Sequence, residues 1–233
     1  MGKTRPSPAK QTKSPRGFAD RMDAARQLAE RLKGRKFVDP IVLGIPRGGV
    51  VLGAHLAEAL GADLDVALAR KLPMPGSPEF ALGAIGEDGE VCLTTPADSL
   101  STGLHDYVAE ESRRQLEEIQ RRQRLFRRGK PCKPLAGRSV IVVDDGIATG
   151  ATMIAALHTL GGRRPREVLA AIPVASPDRL ALIAPLCDEV VCLIEDADLH
   201  AVGEYYDDFS QVSDGEVIAL LRRFAGGRAH VEK

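Results

Sequence analysis

Two adjacent acidic residues, Asp144 and Asp145, end an apolar run that covers residues 140–143. A continuous run of β-branched residues is typical of a strand buried on both faces of a sheet. Apolar residues at helical spacing resume at Ile154, which predicts a helix after the intervening loop. We therefore predict that both carboxylates lie at the carboxyl end of a parallel strand, the edge where ligands of open α/β sheets bind.

The loop behind the acids has the residue types of a phosphate site. Backbone N–H groups at the start of a helix favour an anion, small side chains let it approach closely, and threonine hydroxyls add donors. The residues with these properties are Ala148, Thr149, Gly150, Ala151 and Thr152. Two carboxylates beside a phosphate would repel a bare polyanion, so we expect them to bind neutral hydroxyls or a hard cation such as Mg²⁺. A ribose 5-phosphate with free 2- and 3-hydroxyl groups meets both requirements.

Residues 140–152 resemble the phosphoribosylpyrophosphate (PRPP) motif of the type I phosphoribosyltransferases, in which four apolar residues and two acids precede a loop ending in Thr-Gly-Gly/Ala-Thr/Ser. The resemblance covers roughly residues 18–224. It is closest to a bacterial group of predicted phosphoribosyltransferases with a Gly-Ile/Leu-Pro-Arg-Gly-Gly loop and a C-terminal Tyr-Asp-Phe segment. In that family the acids hold the ribose hydroxyls and the loop holds the 5-phosphate. The alternative is an ordinary strand followed by an acidic turn and the start of a helix.

A second loop contains Arg47, Gly48 and Gly49 between an apolar strand at residues 37–45 and a helix at about residues 50–60. Arg47 is the only charged residue of this loop, and its glycines let backbone N–H groups approach an anion. In the resembled family the corresponding loop binds pyrophosphate, often with a non-proline cis peptide bond at this point. A tight turn with a solvated arginine is the alternative.

The next predicted strand, residues 64–69, brings Arg70 and Lys71 to the same edge of the sheet. The resembled family commonly carries a basic pair here, so we assign Lys71 to the pyrophosphate. An internal salt bridge is the alternative role for Arg70.

Buried strands alternate with helices along the chain, which predicts an α/β fold with a doubly wound, mostly parallel sheet of about five strands. The predicted strands are residues 37–45, 64–69, 140–143, 167–174 and 189–194. A first helix, capped by Asp20, is expected to bury Met22, Ala25, Leu28 and Leu32 against this sheet.

The 233 residues, 44% of them hydrophobic, are enough for one core with a smaller accessory layer. Residues 1–17 are basic, rich in proline and serine, and predicted to be a disordered tail, which either touches nucleic acid or acts as a solubilising leader. Residues 18–233 then form the phosphoribosyltransferase domain. The resemblance implies a small hood subdomain with hood or lid segments around residues 72–135 and 196–212.

The segment between the second and third predicted sheet strands has three distinct parts. Residues 73–78 contain three prolines and a glycine and are predicted to be irregular, as a mobile lid or a rigid polyproline II connector. Residues 79–93 have the pattern of a hairpin, and residues 105–128 that of a largely solvated helix. Ion pairs at helical spacing are expected for Glu110–Arg114, Glu117–Arg121 and Glu118–Arg122.

Aromatic residues are 4% of the chain, yet Tyr205, Tyr206 and Phe209 cluster after the last predicted strand. In the resembled family such a segment often covers the anomeric carbon, so we expect one of these rings to close the acceptor pocket. Neighbours in an extended segment face opposite ways, so both tyrosines cannot line it. The alternative is that the rings pin the C-terminal helix, predicted from the capping box of Ser213 and Glu216, to the core.

The composition of the chain argues against several other classes of function. Thirty-two basic and thirty-two acidic residues cancel, so nothing global favours nucleic acid or an anionic membrane. Membrane-spanning runs and a signal peptide are missing from the sequence, so we expect a cytoplasmic protein with no nucleic-acid or membrane partner. The four cysteines lack zinc-ligand spacing and none is N-terminal, which disfavours the zinc-bearing relatives linked to DNA uptake and the family's glutamine-using amidotransferases.

Family resemblance implies transfer of the ribosyl phosphate group of PRPP to a nitrogen nucleophile of a small acceptor, with release of pyrophosphate, as in nucleotide metabolism and salvage. Mg²⁺ is the expected cofactor, bound mainly through the substrate or also by Asp144 and Asp145. The 6-oxopurine enzymes carry an Asp where this sequence has Ala148, which weakens a hypoxanthine or guanine role and leaves adenine-type and orotate-type acceptors open. A homodimer is compatible with this interpretation. The alternative function is a PRPP- or nucleotide-binding regulator of the same fold with little catalysis.

Overall fold

The computed structural model describes residues 17–93, 101–128 and 130–225. The predicted basic tail therefore lies outside the described residues, except for Gly17. Among the described residues, no helix has both the length and the apolar character needed to cross a membrane.

A parallel sheet of five strands forms the centre of the molecule. The strands are β1 (Ile41–Gly44), β2 (Asp63–Val66), β6 (Ser139–Val143), β7 (Glu167–Ala175) and β8 (Glu189–Glu195). Their order across the sheet is β2-β1-β6-β7-β8. The prediction of a doubly wound α/β fold with about five parallel strands is confirmed.

Helices cover both faces of this sheet because alternate residues of each strand point to opposite sides. These helices are α1 (Arg21–Leu32), α2 (Gly48–Leu60), α4 (Ala151–His158) and α5 (Pro177–Ile183), whereas α6 (Asp214–Arg223) packs against α2. Val42, Ile141 and Leu169 are in register across three strands and pack with α1 and α2. Their chain neighbours Ile41 and Val140 belong to a second core cluster, with α4 and α5.

Some predicted details differ from the structure. Asp20 caps α1 as expected, but Met22 is 43% exposed and Ala24 takes its place on the buried face. Helix α2 begins at Gly48, two residues earlier than predicted, so Gly48 and Gly49 belong to its first turn. The first two sheet strands are also shorter than predicted: Val38, before β1, is 45% exposed, and β2 ends at Val66, before the buried Leu68 and Ala69.

A second, antiparallel sheet lies beside the first. Its strands are β3 (Arg70–Met74), β4 (Ser77–Ile85) and β5 (Val91–Leu93), in the order β3-β4-β5. The predicted hairpin is confirmed, whereas the prediction that residues 73–78 are irregular is wrong. Strand β3 continues through Pro73, where the pairing with β4 shifts register, and only Pro75 and Gly76 form the turn. An irregularity in pairing is one of the few places where a sheet accepts a proline.

Helix α3 (Thr102–Arg127) lies over the second sheet and buries Ile119 and Phe126 against Leu72 and Ile85. Its outer surface carries the predicted pairs Glu110–Arg114, at 3.5 Å, and Glu118–Arg122, at 3.0 Å. Arg121 pairs with Glu118 at 2.7 Å rather than with Glu117.

Arg127, the last residue of α3, joins this helix to both sheets. Its buried guanidinium donates to Asp65 of β2 at 2.7 Å, to the Val66 carbonyl at 2.8 Å and to Glu87 between β4 and β5 at 2.9 Å. Both carboxylates are also buried, so the charges are paired away from water. This network fixes α3 and the second sheet against the edge of the parallel sheet.

Candidate active site

Two loops meet where the neighbouring strands β1 and β6 end. Gly44 and Val143 are register partners at these ends, and the Ile45 N–H donates to the Val143 carbonyl at 2.9 Å. The loop of Arg47 therefore lies beside Asp144 and Asp145. Together these residues line a cavity of about 380 Å³, which we call the acid cavity, with Arg21, Gly48 and Phe209 also in its wall.

The glycines of the first loop permit this close approach. A Cβ atom at Gly48 would lie 1.8 Å from Asp145 Oδ2, and one at Gly49 would lie 2.4 Å from the Val143 carbonyl oxygen. Any side chain at either position would therefore separate the two loops. The peptide bond between Pro46 and Arg47 is cis, as the family resemblance implied.

The two acids have different surroundings. Asp144 is partly buried and its Oδ1 accepts the N–H of Asp145 at 2.9 Å. Burial and then the charge of Asp145 raise the pKa of the Asp144 carboxyl well above its ordinary value. Asp145 instead accepts a hydrogen bond from Arg21 Nε at 2.8 Å, and both side chains are mostly buried. The pair thus offers one carboxyl oriented by a backbone N–H and one oriented by a fixed cation.

The predicted phosphate loop, residues 148–152, leads directly into α4. Gly150 has φ 79°, a left-handed conformation that glycine adopts without strain, and α4 begins at the next residue. Ala148 and Thr149 are exposed, and the Thr149 hydroxyl accepts the Ala151 N–H at 3.4 Å. The first N–H groups of a helix have no acceptor within it, so this loop can bind an anion.

A second cavity, of about 480 Å³, contains the phosphate loop and the predicted basic pair. We call it the phosphate-loop cavity; Thr149, Thr152, Arg70 and Lys71 are among its lining residues. The basic pair begins β3 instead of following a long β2, which ends at Val66. Arg70 donates to Gln115 of α3 at 2.8 Å and forms no salt bridge among the residues that the structure describes.

Arg47 and Lys71, the two cations assigned to the pyrophosphate, line different cavities. Pro46 borders both the acid cavity and the phosphate-loop cavity, so the two cavities adjoin at the first loop. Arg122 of α3 lines the phosphate-loop cavity and also a third cavity, of about 370 Å³, that Arg47 borders. Sequence reasoning missed Arg122, since its spacing from Glu118 is typical of a solvated helical pair.

The three aromatic residues occupy three environments. Tyr206 is 4% exposed, packs between the rings of Phe18 and Phe209, and donates its hydroxyl to the Asp145 carbonyl at 2.6 Å. Burial raises the pKa of Tyr206. Phe209 is 37% exposed and lines the acid cavity. Tyr205 instead donates to Asp196 at 2.5 Å, so the two tyrosines differ in surroundings, as their adjacency predicted.

The chain is similar in sequence to several known proteins. A family model described as "Phosphoribosyl transferase domain" matches residues 12–208. Two Mycobacterium tuberculosis proteins, "Putative phosphoribosyl transferase MT0597" (strain CDC 1551 / Oshkosh) and "Putative phosphoribosyl transferase Rv0571c" (strain ATCC 25618 / H37Rv), are each 47% identical to this chain over 209 residues. Those alignments cover 88% of this chain and 46% of each relative, so the chain spans about half the length of the relatives it matches.

A solved structure extends the comparison to the fold. The crystal structure of TT1426 from Thermus thermophilus is 44% identical in sequence and matches with a TM-score of 0.84. The match covers 90% of this chain and 100% of that chain. The two proteins therefore share the fold described above.

Proposed function

This chain belongs to the phosphoribosyltransferase family, and we propose that it transfers the ribosyl 5-phosphate group of PRPP to a nitrogen atom of a small, nucleobase-like acceptor. Pyrophosphate is the leaving group and Mg²⁺ the cofactor. The observation that carries the proposal is the meeting of an acid pair, the start of helix α4 and a glycine loop with a cation at the carboxyl ends of β1 and β6. PRPP needs acceptors for its ribose hydroxyls, a site for its 5-phosphate and a cation for its pyrophosphate.

The ribose and its 5-phosphate account for the acids and the phosphate loop. Asp144 and Asp145 supply acceptors for the 2- and 3-hydroxyl groups, and hydrogen bonds to charged groups are the stronger ones. The phosphate is bound by the N–H groups and threonine hydroxyls of the five residues of the phosphate loop, Ala148, Thr149, Gly150, Ala151 and Thr152. The small side chains of this loop let the phosphate approach its backbone closely.

The leaving group accounts for the cations around Pro46. As pyrophosphate departs, negative charge grows on it while the anomeric carbon becomes oxocarbenium-like, so fixed positive groups near the diphosphate lower the barrier. We assign Arg47 and Lys71 to this role, with Gly48 and Gly49 allowing backbone N–H groups to contribute. Because both cavities border Pro46, the diphosphate would lie across this residue, between the two cations.

Mg²⁺ fits this donor set as an ion held mainly by its substrate. Among the described residues, no group of three or more His, Cys, Asp or Glu side chains could hold a metal ion. Asp144 and Asp145 provide carboxylate oxygens in the acid cavity, although Arg21 already occupies one oxygen of Asp145. Mg²⁺ commonly binds one or two carboxylates together with substrate phosphates. When bound, it would neutralise part of the charge on the leaving pyrophosphate.

The proposal is tested by incubating the full chain with PRPP, Mg²⁺ and a panel of nucleobases and simple amines, and measuring pyrophosphate release. We expect release that depends on PRPP, on Mg²⁺ and on at least one acceptor. Because Ala148 replaces the acid of the 6-oxopurine enzymes, hypoxanthine and guanine should be poor acceptors. PRPP binding without release for any acceptor would contradict the enzyme assignment and favour a regulator, and absence of PRPP binding would contradict both.

We propose that Phe209 is the aromatic residue that contacts the acceptor, because it is the one of the three that is exposed in the acid cavity. Stacking of a base on an aromatic ring contributes about 1 to 3 kcal/mol. Phe209→Leu should therefore raise the half-saturating acceptor concentration about tenfold, and should change PRPP affinity much less.

Two further variants distinguish a role of Phe209 in the acceptor pocket from a role in the stability of the fold. Tyr206→Leu removes a buried ring and the bond to the Asp145 carbonyl, so we expect a lower melting temperature. Tyr205→Leu should leave acceptor saturation unchanged. If Phe209→Leu lowers the melting temperature as Tyr206→Leu does and saturates normally, the aromatic cluster only stabilises the fold.

A further inference from the structure

Arg21, the first residue of α1, reaches the acid cavity from a distant part of the chain. Its Nε donates to Asp145 Oδ2 at 2.8 Å, and its Nη1 donates to the Ser210 carbonyl at 2.7 Å. The guanidinium also lies 3.9 Å from the centre of the Phe209 ring. Three contacts in different directions hold this side chain in one place, and it is only 12% exposed.

The contact with Asp145 is selective. Among the described residues, Arg21 is the only cation that forms a salt bridge with Asp145, and no cation pairs with Asp144. Adjacent carboxylates repel each other, and a mostly buried one needs a partner to stay in place. A guanidinium fulfils this role better than an ammonium because its planar fork can bind two acceptors at fixed angles.

Gly48 shows that the fold makes room for this pair. A Cβ atom at position 48 would lie 1.8 Å from Asp145 Oδ2 and 2.9 Å from Arg21 Nε. The pair thus lies against bare backbone at the start of α2. The same glycine that belongs to the Arg47 loop is therefore required for Arg21 to reach Asp145.

We propose that Arg21 is a positioning residue of the ribose site, which holds Oδ2 of Asp145 so that Oδ1 is directed to accept a ribose hydroxyl. This inference rests on the proposed function and adds α1 to the elements that build the site. Arg21 acts through Asp145, and its contacts with Ser210 and Phe209 fix it in turn. Each acid is then oriented by a different donor: the backbone N–H of Asp145 orients Asp144, and the guanidinium of Arg21 orients Asp145.

A double-mutant cycle tests the inference, because only a residue that acts through Asp145 loses its effect when Asp145 is changed. The proteins are wild type, Arg21→Met, Asp145→Asn and the double variant, and the probe is ribose 5-phosphate with Mg²⁺. We expect Arg21→Met to weaken ribose 5-phosphate binding about tenfold in the wild-type background. In the Asp145→Asn background the same change should weaken binding less than about twofold.

Arg26→Met is the matched control, since Arg26 lies on the same helix, is well exposed and pairs only with Asp23 among the described residues. It should bind ribose 5-phosphate as wild type does. The unfolding free energies of the four proteins in urea provide a second cycle that needs no ligand, and coupling between Arg21 and Asp145 is expected there too.

Two outcomes overturn the inference in distinguishable ways. If wild type binds ribose 5-phosphate and Arg21→Met weakens binding equally in both backgrounds, Arg21 does not act through Asp145, although the proposed function stands. If wild type binds neither PRPP nor ribose 5-phosphate, the proposed function is wrong and the positioning role falls with it, even where the urea cycle shows the pair.

Discussion

Replacing both acids, by Asp144→Asn together with Asp145→Asn, should weaken binding of PRPP and of ribose 5-phosphate by about a hundredfold to ten-thousandfold. Each carboxylate that accepts a ribose hydroxyl contributes a hydrogen bond to a charged group, worth about 1.5 to 3 kcal/mol, and two such bonds are lost. The fold should persist, because asparagine has nearly the same shape and Asn Oδ1 can still accept from Arg21 and from the backbone N–H of residue 145. Loss of affinity without loss of structure is the signature of a binding role.

Isothermal titration calorimetry with Mg²⁺ present measures this effect, and circular dichroism with a melting curve monitors the fold. Asp178→Asn is a suitable control because Asp178 is an exposed acid in the first turn of α5, outside the acid cavity. It should bind PRPP as wild type does. Equal PRPP affinities for wild type and the double variant would remove the acids from the ribose site.

Arg47→Ala and Lys71→Ala should each lower the rate of pyrophosphate release by roughly a hundredfold or more, by analogy with the loss of one preorganised donor from an oxyanion hole. Ribose 5-phosphate has no pyrophosphate, so its affinity should fall much less than the rate of pyrophosphate release in either variant. Truncating Arg47 should not damage the fold, because its side chain is 40% exposed and its salt bridge to Asp214 is long, at 3.9 Å. The expected result is a selective loss in turnover.

Steady-state rates of pyrophosphate release and titrations with ribose 5-phosphate are measured on the same preparations. Arg113→Ala, an exposed arginine of α3, is the control for a general loss of positive charge. Because Arg47 and Lys71 line different cavities, the two variants also locate the diphosphate. A slower rate in only one of them would mean that the diphosphate lies on one side of Pro46. Ribose 5-phosphate affinity that falls in parallel with turnover would contradict the assignment of both cations to the leaving group.

Segments with strong local signals were predicted well. The β-branched run before Asp144 became the buried strand β6, and the glycine loop containing Arg47 does follow a neighbouring parallel strand. Ser213 and Glu216 form the capping box that begins α6, with both reciprocal hydrogen bonds present. In each case the residues that decide the structure are close in the chain, so their pattern is visible in a short window.

Predictions failed where a distant part of the chain overrode local preference. Residues 73–78 were expected to be irregular because prolines disfavour a ladder, yet pairing with β4 extends β3 to Met74. Met22 was expected on the buried face of α1, but the sheet packs against a face rotated toward Ala24. The periodicity of α1 is compatible with burial of either face, and the elements that pack against the helix decide which face is buried.

By itself, the sequence determined the chemistry available to this protein: an acid pair, a loop of small residues and threonines, and a glycine loop with one arginine, each carried by a strand that must be buried. Which side chains meet was decided only by the tertiary structure. Arg21 is separated from Asp145 by 124 residues, and no local pattern distinguishes it from a solvated arginine at the start of a helix. The placement of Arg47 and Lys71 in two cavities that both border Pro46 is likewise visible only in the folded chain. The physical reason is that periodicity reports which face of an element is buried, whereas the partner across a cavity is chosen by the balance of packing and charge over the whole folded chain.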